Sequence, residues 1–166
     1  MGDTLGHSDE VWTEAFYSLL MSAVRLTRYF VPLMQERKFG RILSISSTGV
    51  KKPIPGLVLS NSIRQSVIAY LKTLSNEVAG SNVFINSILP GATDTERLSS
   101  LHETIAKNTG DSFEEVVSMK MQSIPAGKFA KPDYLASLAA FLLSPKNGYI
   151  TGQSIAVDGG MVSFPL

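Results

Sequence analysis

The chain has 166 residues, of which 44% are hydrophobic and 17% are charged, as in a globular protein and unlike a disordered one. Its 15 basic and 14 acidic side chains nearly balance, so nothing points to nucleic acid or to an anionic membrane surface. Cysteine is absent, which excludes disulfides and thiolate metal sites. No apolar run is long enough to predict a membrane span, and the polar, acidic N-terminus is unlike a signal peptide. We therefore expect one cytoplasmic domain.

Residues 9–37 predict a long helix. Ser8 is a good N-cap residue, and the acidic side chains that follow it suit a first helical turn. Apolar residues then recur at helical spacing as far as Met34. Pro32 is expected to kink this helix because it removes a backbone donor, and Gly40 lies past its end.

The rest of the chain predicts strands that alternate with helical segments. They are a strand at 41–46, a loop at 48–57, a helix at 58–79, a strand at 82–89, a polar segment with two short helices at 96–123, a helix at 132–143 and a strand at 153–157. Ser112 and Glu115 have the spacing of a capping box. The order implies right-handed crossovers and a parallel sheet. The predicted fold class is α/β, with three strands and flanking helices.

Several short motifs follow one another in this framework. They are Gly40-Arg41-Ile42 before a strand, Ser46-Ser47 at its end, Asn86-Ser87-Ile88-Leu89-Pro90-Gly91 followed by Thr95, and Tyr149-Ile150-Thr151-Gly152-Gln153 followed by Val157-Asp158-Gly159-Gly160. In this order they resemble the short-chain dehydrogenase/reductase family, in its 3-oxoacyl-carrier-protein-reductase-like branch. The resemblance implies the C-terminal part of a Rossmann-like, doubly wound parallel sheet. It also implies interconversion of a carbonyl and an alcohol with NAD or NADP.

In that family an Asn, a Ser, a Tyr and a Lys form the active site, and the Tyr donates or removes the proton. Spacing carries over one of them unchanged, as Ser47. The Tyr position holds Ser60, the Lys position holds Arg64 and the Asn position holds Leu19. The resemblance therefore implies a catalytic set of Ser47, Ser60 and Arg64 that departs from the family's pattern.

These replacements change the acid–base chemistry of such a site. A serine hydroxyl without a base has a much higher pKa than the phenol of Tyr, at about 10, and is a poor general acid at neutral pH. Arg64 keeps a positive charge but not the geometry of a lysine ammonium. Each residue also has a simpler interpretation, in which Ser47 caps a turn, Ser60 satisfies a backbone donor in a first helical turn and Arg64 lies on the helix surface.

The segment after the second strand resembles the family's loop that meets the nicotinamide. The implied cofactor-binding residues are Pro90, Gly91, Thr93 and Thr95. A turn that simply ends the strand explains the same residues without a ligand. The following segment, 96–123, corresponds to the family's substrate lid or to a disordered flap.

Family members begin with a strand, a Gly-rich turn and a helix that hold the dinucleotide pyrophosphate. No Gly-x-x-x-Gly-x-Gly follows a strand here, so we expect residues 1–166 to form a single partial Rossmann-like domain without that half. The strand at 41–46 would then be an exposed apolar edge. We expect a second chain or a separate N-terminal half to cover it, and the resemblance implies a homo-oligomer through helices 9–37 and 58–79.

Two other functions fit the same residues. A truncated or degenerate family member would act as a non-catalytic, oligomerising scaffold. A serine-dependent hydrolase using Ser47 or Ser60 would need a base, but His7 and His102 lie in polar segments and are expected to be solvated. The chain also has no Gly-x-Ser-x-Gly elbow, and no spacing in it predicts a metal site.

Overall fold

The computed structural model describes residues 4–163. Helices and strands alternate much as the sequence predicts. The elements are α1 (Asp9–Ala15), a π-helical segment (Phe16–Met21), α2 (Ser22–Glu36), β1 (Gly40–Ile45), α3 (Val58–Val78), β2 (Val83–Pro90), α4 (Glu96–Thr109), α5 (Phe113–Gln122), α6 (Pro132–Leu143) and β3 (Ser154–Val157). Short 3-10 turns lie at Thr48–Val50 and Ala79–Ser81.

The three strands form a parallel sheet in the order β1-β2-β3. Gly40 pairs with Val83 at one end of the β1–β2 register, and Ile45 pairs with Ile88 at the other. This confirms the predicted α/β class and the parallel sheet. Since the strands are parallel, the carboxyl ends of β1 and β2 meet at the same edge of the sheet.

The central strand β2 carries the core. Its residues are buried from Val83 to Leu89, as expected for a strand with neighbours on both sides and helices packed against it. Val83 and Ile85 alternate along β2 and therefore face one side of the sheet, where they join a buried cluster with α2 and α3. The cluster is completed by Val31, Val67, Leu71 and Val78.

Arg41, in the Gly-Arg-Ile motif, fastens the amino end of the sheet. Its Nη1 donates to the carbonyl oxygens of Gly40 (2.7 Å) and Asn82 (2.8 Å), and its Nη2 donates to that of Asn147 (2.8 Å). The guanidinium carbon lies 4.3 Å from the centre of the Phe84 ring. This motif residue is therefore structural, and it ties β1 to the turn before β3.

The first long helix differs from the prediction in its interior and at its end. The helix continues past Pro32, and a π-helical segment that the sequence does not predict lies at Phe16–Met21. A π-segment depends on a shift of backbone hydrogen bonds, which apolar spacing does not report. The helix is followed by Lys38 in a left-handed conformation (φ 53°), and Gly40 already belongs to β1.

The polar segment 96–123 contains the two predicted helices, α4 and α5, and is ordered rather than a disordered flap. The predicted capping box is present at the start of α5. Ser112 Oγ accepts a hydrogen bond from the backbone N–H of Glu115 (3.2 Å), and the Glu115 carboxylate accepts one from the backbone N–H of Ser112 (2.9 Å). These two helices form one wall of the site described next.

Candidate active site

A cavity of about 280 Å³ opens at the carboxyl ends of β1 and β2. It lies between the sheet, the 3-10 turn after β1 and the two helices α4 and α5. Most of its lining is apolar. The lining residues are Ser47, Thr48, Ile54, Pro90, Gly91, Ala92, Leu98, Leu101, His102, Lys120, Ser123, Ile124, Phe129 and Met161.

Ser47 reaches this cavity from the end of β1. Its extended backbone (φ −160°, ψ 150°) starts the 3-10 turn, and its Oγ accepts a hydrogen bond from the Gly49 N–H (3.0 Å). The turn-capping interpretation of Ser47 is therefore right, but it leaves the hydroxyl proton available. Among the described residues no acceptor takes that proton, so Ser47 can donate it to a ligand in the cavity.

His102 lies in the same cavity, and the prediction that it is solvated is wrong. The side chain is only 2% exposed. Its ring packs against Phe129 (5.4 Å between centroids) and Phe113 (6.3 Å). The segment looks polar because one face of α4 is solvated, although its other face is apolar.

A signal for this burial was present in the sequence. Leu98, Leu101 and Ile105 recur at helical spacing, and His102 falls on the same face of α4 as these residues. Burial lowers the pKa of the His102 imidazole below its usual range, and the positive charge of Lys120 lowers it further. The ring is therefore neutral near pH 7.

Ser60 and Arg64 interact with each other and are outside the residues that line the cavity. Arg64 Nε donates a hydrogen bond to Ser60 Oγ (3.1 Å), across one turn of α3. Both side chains are half-buried. The Ser60 hydroxyl therefore accepts from a side chain and does not satisfy a backbone donor, contrary to its simpler interpretation.

The four implied cofactor-binding residues separate into two pairs. Pro90 and Gly91 line the cavity. Thr95 is the N-cap of α4, accepting from the Leu98 N–H (3.4 Å), and Thr93 Oγ1 donates to the Gly91 carbonyl oxygen (3.2 Å). The two threonine hydroxyls thus already have partners within the loop, whereas Pro90 and Gly91 form part of the cavity wall.

A dinucleotide needs a place for its nicotinamide and a place for its pyrophosphate. Pro90 and Gly91, which the resemblance assigns to the nicotinamide, line the cavity. The usual pyrophosphate site is a Gly-rich turn between a strand and a helix N-terminus, and the part of the chain at 4–163 has none. After β2 the next helix opens with Glu96, whose carboxylate opposes an anion there. These residues fit one end of a dinucleotide and not the other.

A serine hydrolase is poorly supported by the same geometry. His102 and Ser47 share the cavity, but the Ser47 oxygen accepts from Gly49 and no hydrogen bond joins the two side chains. No carboxylate is among the described residues that line the cavity, so no third group orients the imidazole.

The family model described as Enoyl-(Acyl carrier protein) reductase matches residues 1–162. Similar proteins include 3-oxoacyl-acyl-carrier-protein reductase of Thermotoga maritima, 31% identical over 93% of this chain and 58% of its own length. An uncharacterised oxidoreductase of Bacillus subtilis is 31% identical over 93% of this chain and 60% of its own length. This chain belongs to the short-chain dehydrogenase/reductase family.

Solved structures of this family superpose closely on the chain. The L-sorbose reductase of Gluconobacter frateurii, in complex with NADPH and L-sorbose, has a TM-score of 0.91 at 29% identity, over 98% of this chain and 62% of its own. YwfH, an NADPH-dependent reductase involved in bacilysin biosynthesis, has a TM-score of 0.89 at 28% identity, over 96% and 61%. The chain thus spans about three fifths of the length of these short-chain dehydrogenases/reductases.

No helix of residues 4–163 combines the length and apolar character that a bilayer crossing requires. Within the same residues, His, Asp and Glu side chains do not gather into a group of three or more that could hold a metal ion.

Proposed function

We propose that this chain forms the substrate-binding side of an oxidoreductase that interconverts a carbonyl and an alcohol with NAD or NADP. The observation that carries the proposal is the cavity at the carboxyl ends of β1 and β2, which Ser47, Pro90 and Gly91 line together. In open parallel sheets this edge is the usual place for ligands. A fold shared with NADPH-dependent reductases supports the same assignment.

In this proposal Ser47 binds the substrate oxygen through its free hydroxyl proton. Arg64 holds the Ser60 hydroxyl and keeps a positive charge on α3. Pro90 and Gly91, with Thr93 and Thr95 supporting the loop, would face the nicotinamide end of the cofactor. The dinucleotide, when bound, supplies or accepts the hydride, and the chain's own residues orient the oxygen and handle its proton.

Residues 1–166 would act as one partial Rossmann-like domain. A dinucleotide-binding segment, in the same polypeptide or in a separate one, would then complete the pyrophosphate site and pair with β1. We also propose self-association through the helices within 9–37 and 58–79, and a cytoplasmic location. We propose no nucleic-acid partner, because the numbers of basic and acidic side chains nearly balance.

The first test is a calorimetric titration of the 166-residue chain with NADPH and with NADH. Binding at micromolar dissociation constant would mean that copies of this chain rebuild a cofactor site between them. We expect no binding by the isolated chain, because it contributes no pyrophosphate site.

The second test adds the missing pyrophosphate-binding segment to the chain. The N-terminal segment of the Thermotoga maritima reductase is fused before Ser8, and NADPH oxidation is followed with small carbonyl compounds. The proposal expects turnover that falls on Ser47→Ala, and a smaller loss on Ser60→Ala or Arg64→Ala. Thr73→Ala is a matched control, since Thr73 is an exposed residue of α3 whose hydroxyl bonds only to the Ala69 carbonyl oxygen.

A non-catalytic scaffold, in contrast, would show no turnover in this fusion. Two observations favour it: Ser60 and Arg64 bond to each other outside the cavity lining, and α1 and α2 carry exposed apolar side chains. A fused, folded and dinucleotide-binding protein that oxidises no NADPH with any carbonyl compound would support the scaffold and refute the oxidoreductase.

A further inference from the structure

The cavity holds a buried polar ring whose nitrogens have no partner among the described residues. His102 is 2% exposed, packed between Phe113 and Phe129, and no hydrogen bond joins its imidazole to any part of the chain within 4–163. A neutral imidazole carries one N–H donor and one acceptor. Its nitrogens are not among the fully buried side-chain atoms without a partner, which in the described residues are Arg41 Nε and Ser46 Oγ. They therefore keep contact with the cavity that the ring lines, where a ligand can bond to them.

The buried side-chain amides Asn86 and Asn147, unlike the His102 ring, have hydrogen-bond partners within the chain. Asn86 donates to the Ile150 carbonyl oxygen (2.8 Å) and accepts from the Gln153 N–H (3.0 Å). Asn147 donates to the Leu142 carbonyl oxygen (3.1 Å) and accepts from the Ile150 N–H (2.9 Å). His102 differs from these asparagines in that its unpaired ring lines the cavity, where a ligand can supply the partner.

The charge around the ring narrows the ligand class. Lys120 is the charged side chain among the described lining residues, and its charge acts on His102. No carboxylate opposes it in the lining. Such a wall favours a negative group on the ligand, by an attraction that salt weakens because Lys120 is exposed.

The volume and the apolar wall of the cavity suit a small molecule. Its volume of about 280 Å³ lies at the lower end of ligand pockets. Apart from its few polar groups, the wall consists of aliphatic and aromatic side chains such as Leu98, Ile124 and Phe129. A short hydrocarbon chain suits this wall better than a polyhydroxylated one.

We propose that the cavity is a site for a small oxo acid, in which Ser47 and His102 hold the oxo oxygen and Lys120 faces the carboxylate. The Ser47 hydroxyl and one imidazole N–H donate to the same oxygen. The inference rests on the proposed function, because the oxo group so held is the one that the oxidoreductase would reduce. It assigns His102 and Lys120 roles that the family's motif residues do not include.

Nuclear magnetic resonance of the 166-residue chain tests this directly, because the chain has two histidines, of which His102 is buried and His7 only half-buried. Acetoacetate is titrated, with butyrate as the ligand that lacks the oxo group and ethyl acetoacetate as the ligand that lacks the charge. We expect acetoacetate to move the His102 ring signals saturably while His7 stays unmoved. Both control ligands should bind more weakly, and added salt should weaken acetoacetate more than its ester.

Two variants separate the roles. His102→Phe keeps the ring in contact with Phe113 and Phe129 but removes both nitrogens, and should weaken acetoacetate binding about tenfold. The same change should not lower the melting temperature, because Phe keeps the ring contacts with Phe113 and Phe129. A histidine with only a structural role would destabilise on replacement. Lys120→Gln should abolish the preference for acetoacetate over its ester.

The proposal is overturned if acetoacetate leaves the His102 signals unmoved, if butyrate binds as tightly as acetoacetate, or if His102→Phe binds with unchanged affinity. These outcomes are independent of any dinucleotide. Acetoacetate bound at His102 in a fused protein that oxidises no NADPH would refute the oxidoreductase and keep the site. Turnover unaffected by His102→Phe would keep the oxidoreductase and refute the site.

Discussion

Gly91 shows how one residue serves both the sheet and the cavity. It follows β2 and donates its backbone N–H to the Val157 carbonyl oxygen (3.0 Å) of β3. A Cβ at this position would lie 2.7 Å from the Cα of Asp158, which is backbone and has no room to give way. The glycine is therefore explained by the approach of two chain segments, with no need for a ligand.

We expect Gly91→Ala to destabilise the chain by about 1–3 kcal/mol, because the ends of β2 and β3 must move apart to admit the methyl group. Urea unfolding followed by circular dichroism measures the change. Gly80→Ala is the matched control, since a Cβ at Gly80 meets nothing within 4 Å and its φ is not positive. Equal stability of the two variants would contradict this account of Gly91.

His102 couples stability to pH, and the sign follows from its lowered pKa. The folded chain resists protonation of this ring, whereas the unfolded chain takes up a proton as pH falls below about 6.5. Stability should be complete above that pH and decline below it, by at most about 1.4 kcal/mol per pH unit from this group.

The measurement is urea unfolding of the wild type and of His102→Phe across this pH range. The difference in their free energies of unfolding should favour the variant increasingly as pH falls. His7, only half-buried, remains in both proteins and cancels in the comparison. A difference that does not change with pH would show that the ring titrates alike in the folded and unfolded chain.

The candidate residues of this site were only partly predictable from sequence. Ser47 could be placed because the family's motif spacing carries it over unchanged and puts it at the end of a strand. His102 could not be placed by counting polar neighbours, since its burial comes from Phe113 and Phe129 across the cavity. The Ser60–Arg64 contact needed only their spacing on one helix face, whereas their absence from the cavity lining needed coordinates.

Among the elements, α5 links local sequence to the site most directly. Its capping box fixes where the helix begins, and the helix carries Lys120 to the cavity wall. The backbone and side-chain bonds from Ser112 lower the pKa of the Glu115 carboxyl, as expected for a group that holds backbone donors while ionised. Both partners are exposed, so the box can be removed without disturbing the core.

Ser112→Ala should therefore loosen the start of α5 at a cost of about 0.5–2 kcal/mol to helix stability. Faster backbone hydrogen exchange over the first turn of α5 is the expected readout, with α4 unaffected. Ser118→Ala serves as control, because Ser118 is an exposed residue in the interior of the same helix. Unchanged exchange after Ser112→Ala would mean that contacts with α4 alone set the start of α5.

Element types and order followed from periodicity, while element ends did not. The predicted stop at Gly80 is instead a 3-10 turn, after which Asn82 adopts the left-handed conformation (φ 57°). The end of α2 uses Lys38 in the same way. Asn adopts this conformation more readily than Lys does. Hydrophobic periodicity predicts neither position.

At the scale of the whole molecule, β1 is one of the two edge strands of the sheet. Within the described residues it pairs with β2 alone. The N–H groups of Gly40 and Ser46 donate to the carbonyl oxygens of Asn82 and Ile88, on the β2 side. The N–H groups of the odd-numbered residues between them, 41, 43 and 45, therefore point away from β2. Ile45, at the end of the edge, is 54% exposed. An apolar edge of this kind favours pairing with another strand.

Exposed apolar side chains also occur along the first helices. Four are each more than two fifths exposed: Tyr17, Leu26, Tyr29 and Phe30. Of these, Leu26, Tyr29 and Phe30 are spaced at i, i+3 and i+4 and share one face of α2. Contiguous exposed apolar side chains on a helix commonly mark an interface with another chain. Burial of such residues stabilises an interface by roughly 25 cal/mol for each Å² of apolar surface removed from water.

We expect the chain to self-associate through this helical surface, and Leu26→Glu combined with Tyr29→Glu to prevent it, because an interface would then bury two unpaired charges. Sedimentation velocity over a range of protein concentrations should show a concentration-dependent oligomer for the wild type and a monomer for the double variant. Tyr149→Glu is the control, since Tyr149 is 95% exposed but lies before β3, outside these helices. An oligomer that survives the double change would move the interface to the β1 edge, where Ile45→Lys is the next variant.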